Sequence, residues 1–305
     1  MRGGRGMTES LVGRVAVVTG AGRGIGAATA RQLAIMGARV VVNDPGVNRA
    51  GEGGDRGPAD GVVRAIAEAG GTAVANYDSV ADFESAGRII ETARREFGGI
   101  DILVNNAGVS AGAPIQQLEP ELFNTVVGIH LHGTYNCTRH AVPDMVEAGW
   151  GRIVNLVSRA GLIGSAGAAA YAAGKGGIYG FTNAVARDLE PLGVTVNAVN
   201  PAATVTRMVT EAMEEARERG LDEESRERML AIAQQPDELA TVIAFLCTEE
   251  AGGISGQTFF VQNGAVGLFA PLQVTQTLLT DEDWTPDTLA EAANRLQLHP
   301  LGQLY

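Results

Sequence analysis

Cysteine is scarce in this chain: 305 residues carry two, Cys137 and Cys247. Both fall in stretches of helical pattern, which argues against a disulfide framework and fits buried thiols in a reducing compartment. Positive charge is also in deficit, with 23 Lys and Arg against 35 Asp and Glu and a formal net charge of −12. No basic run is long enough to follow a phosphate backbone, so nucleic acid is not expected as a partner. Free anionic substrates would be repelled at long range unless a local Arg or Lys receives them. Long apolar runs are missing too. No stretch reaches the roughly 18 residues of a membrane span, and Met1–Ser10 is rich in Gly and Arg without the apolar segment of a secretory signal. These absences predict a cytoplasmic protein with no membrane partner. Neither His130 nor His132 has sequence neighbours that suggest a metal site, and no metal is expected.

What is present is apolar patterning: 45% of the residues are hydrophobic, enough for the core of one large α/β domain. Short, nearly continuous apolar runs read as strands at Arg14–Thr19, Arg39–Asn43, Thr72–Ala75, Asp101–Asn105, Arg152–Val157, Val194–Val199 and Gln257–Val261. Helical stretches fall between them, near Gly24–Met36, Asp60–Ala69, Ala81–Phe97, Pro120–Glu147, Ala168–Glu190 and Pro236–Thr248. Seven strands with helical crossovers predict a doubly wound, Rossmann-type parallel sheet with helices on both faces, a single domain over residues 11–264. Ligands in such sheets bind beyond the carboxyl ends of the strands. Residues 1–10 precede the domain. Residues 265–305 extend it, with a helix opened by Thr285-Pro286, and would cover the core, close over a substrate or reach a neighbouring subunit. The Gly-rich stretch Pro45–Pro58 is long for such a connection. It reads as a flexible excursion in preference to a piece of the cofactor and substrate rim.

The first strand runs into Gly20, Gly22, Arg23, Gly24, Ile25 and Gly26 and then straight into a helix. Such a turn lets the backbone approach a pyrophosphate, whose charge meets the helix N-terminal amides. Asp44 ends the second strand, 18 positions after Gly26, where a carboxylate can accept from adenosine ribose hydroxyls and oppose the extra phosphate of NADP. Arg23 argues the other way, because a basic residue there can pair with a 2′-phosphate. The balance predicts NAD rather than NADP. Asp78 lies where it can meet the adenine edge. Asn106, Ala107 and Gly108, after Asn105, leave room for the adenosine side.

Tyr171 and Lys175 are four apart at the start of a helical stretch and share one face, and Ser158 lies 13 positions before Tyr171 at the end of a buried strand. The trio fits hydride transfer between an alcohol and a nicotinamide. A phenol is a poor base at its ordinary pKa of about 10. A nearby lysine ammonium, together with a positive nicotinamide ring, favours the phenolate and lowers that value. Tyr171 would then be the general base in oxidation and the acid in reduction, with Ser158 holding the substrate oxygen and Lys175 also binding cofactor ribose hydroxyls.

Together these residues resemble the short-chain dehydrogenase/reductase family over Leu11 to Gly264, counting Asn200-Pro201 with Thr206 and Gly256-Gln257 among the shared motifs. The resemblance implies an NAD(P)-dependent oxidoreductase for a small hydroxy or keto substrate. It also implies a homodimer or homotetramer built through the helices near Pro120–Glu147 and Ala168–Glu190, and it sets Pro201, Thr204 and Thr206 on the cofactor, the threonines near the nicotinamide carboxamide. Two positions depart from the pattern. Pro201-Ala202 replaces the usual Pro-Gly, and His130 stands where a fourth catalytic Asn is usual. A neutral imidazole could hold the water that Asn normally holds for the lysine, or bond to backbone as a buried polar residue. His130, Val42-Asn43-Asp44 with its long loop, and Asn76-Tyr77-Asp78-Ser79-Val80 look like the dehydrogenase domain of the peroxisomal multifunctional enzyme type 2 branch. That likeness implies a secondary alcohol on a bulky, mostly apolar substrate such as a 3-hydroxyacyl-CoA or a hydroxysteroid. The alternatives are a ketoreductase for a free or carrier-bound ketone and a non-enzymatic NAD-binding scaffold, which Ser158, Tyr171 and Lys175 disfavour.

Overall fold

The computed structural model describes residues 10–48, 51–206, 233–281 and 283–297. Strands form where β-branched and other apolar runs can be buried on both faces: β1 (Val15–Thr19), β2 (Arg39–Asn43), β3 (Thr72–Asn76), β4 (Ile102–Asn105), β5 (Gly151–Leu156), β6 (Val194–Pro201) and β7 (Thr258–Gln262). They are parallel, and the sheet order is β3-β2-β1-β4-β5-β6-β7-β8. The eighth strand, β8 (Ala265–Leu268), is antiparallel to β7 and corrects the expected count of seven. Its cause is local. Gln262 pairs with Ala265 across a two-residue turn, Asn263-Gly264, in which both residues have positive φ, 43° and 78°. Asn-Gly is the favoured pair for such a hairpin.

On one face of the sheet lie α1 (Gly24–Ile35), α2 (Gly57–Glu68) and α8 (Pro236–Leu246), which bury Leu33, Ile66, Leu239 and Ile243 against β1, β2 and β5. On the other lie α3 (Phe83–Phe97), α5 (Gly133–Ala148) and α7 (Ala169–Leu189), which bury Ile89, Ile90, Met145 and Leu189. Each fully buried Leu or Ile stabilises the fold by about 1.5–3 kcal/mol, so both faces hold the sheet. Helix α3 is closed at both ends by its own sequence. Asp82 accepts from Ser85 N at its start, and Gly98 takes the left-handed conformation at its end.

The stretch expected as one helix, Pro120–Glu147, is broken. It consists of α4 (Pro120–Val127), a π-helical turn at Gly128–His132, and α5. Glycine at position 133 lets the turn sit on β3's exit, because a Cβ there would lie 2.6 Å from Val80 Cγ2. The extra residue in the turn rotates His130 inward, where it is buried. A short helix, α6 (Arg159–Ile163), follows β5.

Met1–Leu268 forms one compact unit and Phe269–Tyr305 a second. In the second, α9 (Pro286–Ala293) is opened by a capping box of Thr285 and Thr288, and Gln276 exchanges two hydrogen bonds with the backbone of Gln297. The expected Met1–Ser10 segment falls outside the described residues except for Ser10.

Candidate active site

The sheet order reverses between β1 and β4, and the loops leaving the carboxyl ends of β1, β2, β4, β5 and β6 surround a cavity of about 430 Å³. Every site residue expected from sequence lines it except Gly22, Gly26 and Asp78.

The glycine turn is fixed by its neighbours. Gly24 has φ +52°, a left-handed value that most side chains avoid. At Gly22 the limit is space, since a Cβ would sit 2.7 Å from Asp44 Oδ2. The Asp44 carboxylate receives Gly22 N at 2.8 Å and Gly46 N at 2.7 Å, so it braces the turn from β2. From β4, Asn106 Nδ2 donates to Thr19 O and Gly20 O at 2.8 and 3.0 Å, and Thr19 Oγ1 receives the amides of Asn106 and Ala107. Helix α1 begins directly behind this turn.

The Asp78 carboxylate is engaged elsewhere. Arg88 Nε lies 2.7 Å from its Oδ1 and Asn76 Nδ2 donates to its Oδ2 at 2.9 Å, while the adjacent Ser79 and Val80 line the cavity. Arg23 lines the cavity and faces Asp55 at 3.9 Å. The described residues of the Pro45–Pro58 stretch are joined by hydrogen bonds and reach the cavity. Asp55 N donates to Pro45 O, Glu52 N to Asn48 Oδ1 and Gly57 N to Asp55 Oδ1, and Pro45, Val47, Asn48 and Gly51 form part of the cavity wall. Gly51 lies close enough to the helix opposite that a Cβ would be 3.0 Å from Ile129 Cδ1.

At the other side, Ser158 caps α6, accepting from Ala160 N at 3.3 Å, and lines the cavity together with Tyr171. Helices α6 and α7 touch backbone to backbone: a Cβ at Gly161 would lie 2.4 Å from Gly176 N. Lys175 is buried, its Nζ donates to Leu156 O at 2.5 Å, and it stands 5.9 Å from the centroid of the Tyr171 ring. Burial pushes the Lys175 ammonium down to about 7. Burial also pushes the Tyr171 phenol above its ordinary value, with the Ser158 hydrogen bond acting the other way. In the protein alone, desolvation outweighs the opposing contribution of Ser158.

His130 Nε2 lies 3.1 Å from Val109 N and 2.9 Å from Val109 O, and its ring meets Tyr171 edge to face at 5.1 Å. Gly108 makes room for that ring, since a Cβ would be 2.4 Å from His130 Cε1. Burial, then the charge of Lys175, press the imidazole down to about 3 against the opposing bond to Val109, so it is neutral at ordinary pH. Its Nδ1 has no partner among the described residues.

At the end of β6 and just beyond it, Pro201, Thr204 and Thr206 reach the cavity, and Thr206 packs on Gly24. Gln234, which sequence reasoning did not single out, holds this edge: its Nε2 donates to Thr204 Oγ1 and Val261 O, and its Oε1 accepts from Asn263 N. A second missed feature is a row of strand-end asparagines. Asn43 donates to Asn76, and Asn105 donates to Asn155, which donates to Thr182. The recurrence of Asn at the ends of three apolar runs, Asn43, Asn76 and Asn105, was the available signal.

A dinucleotide fits this set of residues. The turn offers close backbone approach and a helix N-terminus, and the cavity continues from there to Tyr171. Among the described residues no cluster of His, Cys, Asp and Glu could hold a metal, and no helix is long and apolar enough to cross a membrane.

The short chain dehydrogenase family profile matches residues 14–217. The chain is 39% identical to a 3-oxoacyl-[acyl-carrier-protein] reductase from Synechocystis sp. over 260 residues, 84% of this chain and 98% of that one. It is 39% identical to the peroxisomal multifunctional enzyme type 2 of Drosophila melanogaster over 237 residues, 78% of this chain and 37% of that longer protein. A crystal structure of a short chain dehydrogenase from Mycobacterium avium superposes with a TM-score of 0.79 at 34% identity, covering 95% of this chain and 97% of that one. With the glycine turn, the doubly wound sheet and the family profile in agreement, the chain belongs to the short chain dehydrogenases, oxidoreductases of hydroxy and keto groups that bind a nicotinamide cofactor.

Proposed function

We propose that the protein interconverts a secondary alcohol and a ketone with NAD(H), Tyr171 exchanging the proton at the substrate oxygen. The observation that carries this reading is the convergence of Ser158, Tyr171 and Lys175 on one cavity with the glycine turn. NAD supplies the hydride acceptor, and NADH the donor, when bound. Gly20 to Gly26 and Asn106 to Gly108 hold its adenosine and diphosphate side, and Pro201, Thr204 and Thr206 its nicotinamide side. Ser158 holds the substrate oxygen by hydrogen bond and is kept on Tyr171 by the contact of α6 with α7. Lys175 is positioned by Leu156 O to bind ribose hydroxyls and, when protonated, to favour the phenolate. His130 in its neutral form keeps Val109 and the Tyr171 ring in place, and its Nδ1 is the atom through which it would join a proton relay to Lys175. Asp44, with both oxygens turned to the glycine turn and its loop, favours NAD over NADP.

The substrate is bulky and mostly apolar, a 3-hydroxyacyl-CoA or a hydroxysteroid. This is supported by the likeness to the multifunctional enzyme and by the apolar cluster of Val109, Val126 and Ala170, against which Leu118, Leu122 and Tyr171 pack. The second reading, reduction of a carrier-bound ketone, draws on the likeness to the Synechocystis reductase along nearly its whole length. Turnover of (3R)-hydroxyacyl-CoA esters and hydroxysteroids with NAD is the expected result. Activity confined to 3-oxoacyl carrier substrates selects the second reading, and inactivity on all of these removes the assignment. The half-exposed aromatic set Phe83, Tyr135 and Phe181 on α3, α5 and α7 supports a homodimer or homotetramer, and the buried free thiols Cys137 and Cys247 fit a cytoplasmic site of action.

A further inference from the structure

Two residues of opposite meaning for the cofactor share the same wall. Asp44 disfavours a 2′-phosphate on the ribose, and Arg23, beside it in the glycine turn, would attract one. Arg23 does not stand alone, however. Its Nη2 faces Asp55 Oδ2 at 3.9 Å, and Asp55 is outside the cavity lining. The position of Asp55 is fixed by three features of the Pro45–Pro58 loop. Asp55 N donates to Pro45 O at 3.1 Å, and Asp55 Oδ1 accepts from Gly57 N at 2.9 Å. Gly46, at φ +70°, lets the two strands of the loop meet, because a Cβ there would collide with Asp55 O. Gly46 N in turn donates to Asp44 Oδ1. Asp44, the loop closure and Asp55 are therefore connected, and Asp55 is the member that faces the arginine.

We propose that Asp55 is a second determinant of cofactor choice, acting as the counter-charge that keeps Arg23 from serving as a phosphate receptor. The inference rests on the NAD reading of Asp44 and extends it to a residue 11 positions further on, in the loop that follows β2. Exposed pairs of this kind add little to stability. A carboxylate beside Arg23 nevertheless lowers the local potential that an additional dianionic group would meet, and salt weakens the effect.

The test is a double-mutant cycle read by NADH and NADPH fluorescence on the full-length protein. Asp55→Asn keeps an oxygen acceptor for Gly57 N while removing the charge. It should raise the NADPH-to-NADH affinity ratio by about threefold to fivefold at low ionic strength, and by less as salt is added. In an Arg23→Ala background the same substitution should leave the ratio unchanged. No rise in the first variant, or an equal rise without Arg23, overturns the role of Asp55. The ratio for the unaltered protein tests the NAD reading separately: a preference for NADPH there removes the assignment of Asp44, while the Arg23-dependence of the Asp55 effect still decides the present inference.

Discussion

The two ends of the sheet treat charge in opposite ways. At the amino end, the Arg14 guanidinium lies 3.5 Å from the centroid of the Trp150 ring and that of Arg152 4.3 Å from it. Arg14 pairs with Asp101 and Glu249 at 2.9 Å each, and Asp101 also receives Val15 N. Arg152, buried and pushed below its ordinary pKa by that burial, donates to Thr248 O and Gly151 O. At the carboxyl end Lys175 has a carbonyl as its hydrogen-bond acceptor, His130 is neutral, and Asn43 Oδ1, Asn105 Oδ1, Asn200 Oδ1 and His130 Nδ1 have no partner among the described residues. The amino end spends its charged groups on each other, on the Trp150 ring and on the backbone, and leaves only the neutral Trp150 Nε1 and Thr195 Oγ1 without a partner among the described residues. The carboxyl end keeps some of that capacity open, which costs stability and is what a site for an exchanging ligand requires.

The largest expected break in the comparison is chemical. Tyr171→Phe should lower kcat by about a hundredfold to ten-thousandfold, with NADH affinity and the thermal midpoint nearly unchanged; turnover close to the original would end the proposed proton path. Arg152→Ala should do the reverse. Loss of two charge-assisted hydrogen bonds and the stack on Trp150 should cost about 2–4 kcal/mol in denaturant unfolding, while kcat per folded molecule stays the same. Gly108→Ala forces the His130 ring to shift and should cost about 1–3 kcal/mol. Unlike the Arg152 variant, it should also lower kcat, because the displaced ring packs on Tyr171. The most gradual effect, smallest in any single pH step, is a pH trend. Folded Lys175 titrates near 7 against 10.5 for the unfolded side chain. Between those values the unfolded chain holds a proton that the folded one has lost, so stability rises with pH across the window, by at most about 1.4 kcal/mol per pH unit. Lys175→Met should remove that part of the slope, and an unchanged slope would show that the ammonium is not desolvated as described.

Strand positions were legible because burial on both faces demands unbroken apolar runs, and β2 coincides with its expected range, Arg39–Asn43. The glycine turn, Ser158, Tyr171 and Lys175 were legible as fixed spacings on predicted elements. Other features depend on backbone geometry that the pattern does not carry. Strand β8 is four residues long with little apolar periodicity, and its signal was the Asn-Gly pair before it. The π-helical turn keeps helical spacing on either side, so the inward rotation of His130 leaves no trace in the pattern. The Pro45–Pro58 loop has the composition of a flexible segment, yet its order comes from backbone amides captured by Asp44, Asn48 and Asp55. Asp78 shows the reverse case, in which a correct placement at a strand end did not reveal that Arg88 holds the carboxylate.

The close contact of Gly161 with Gly176 has a consequence for how such an enzyme diversifies. With no side chain between the two helices, the Ser158 and Tyr171 hydroxyls ride on what is mechanically one part, so changes in the rest of the cavity wall, at Ser110 or Ala203 for instance, can alter what fits without altering how the proton moves. Substrate range and proton chemistry are thereby separable traits, and selection can act on the first while a two-glycine seam conserves the second.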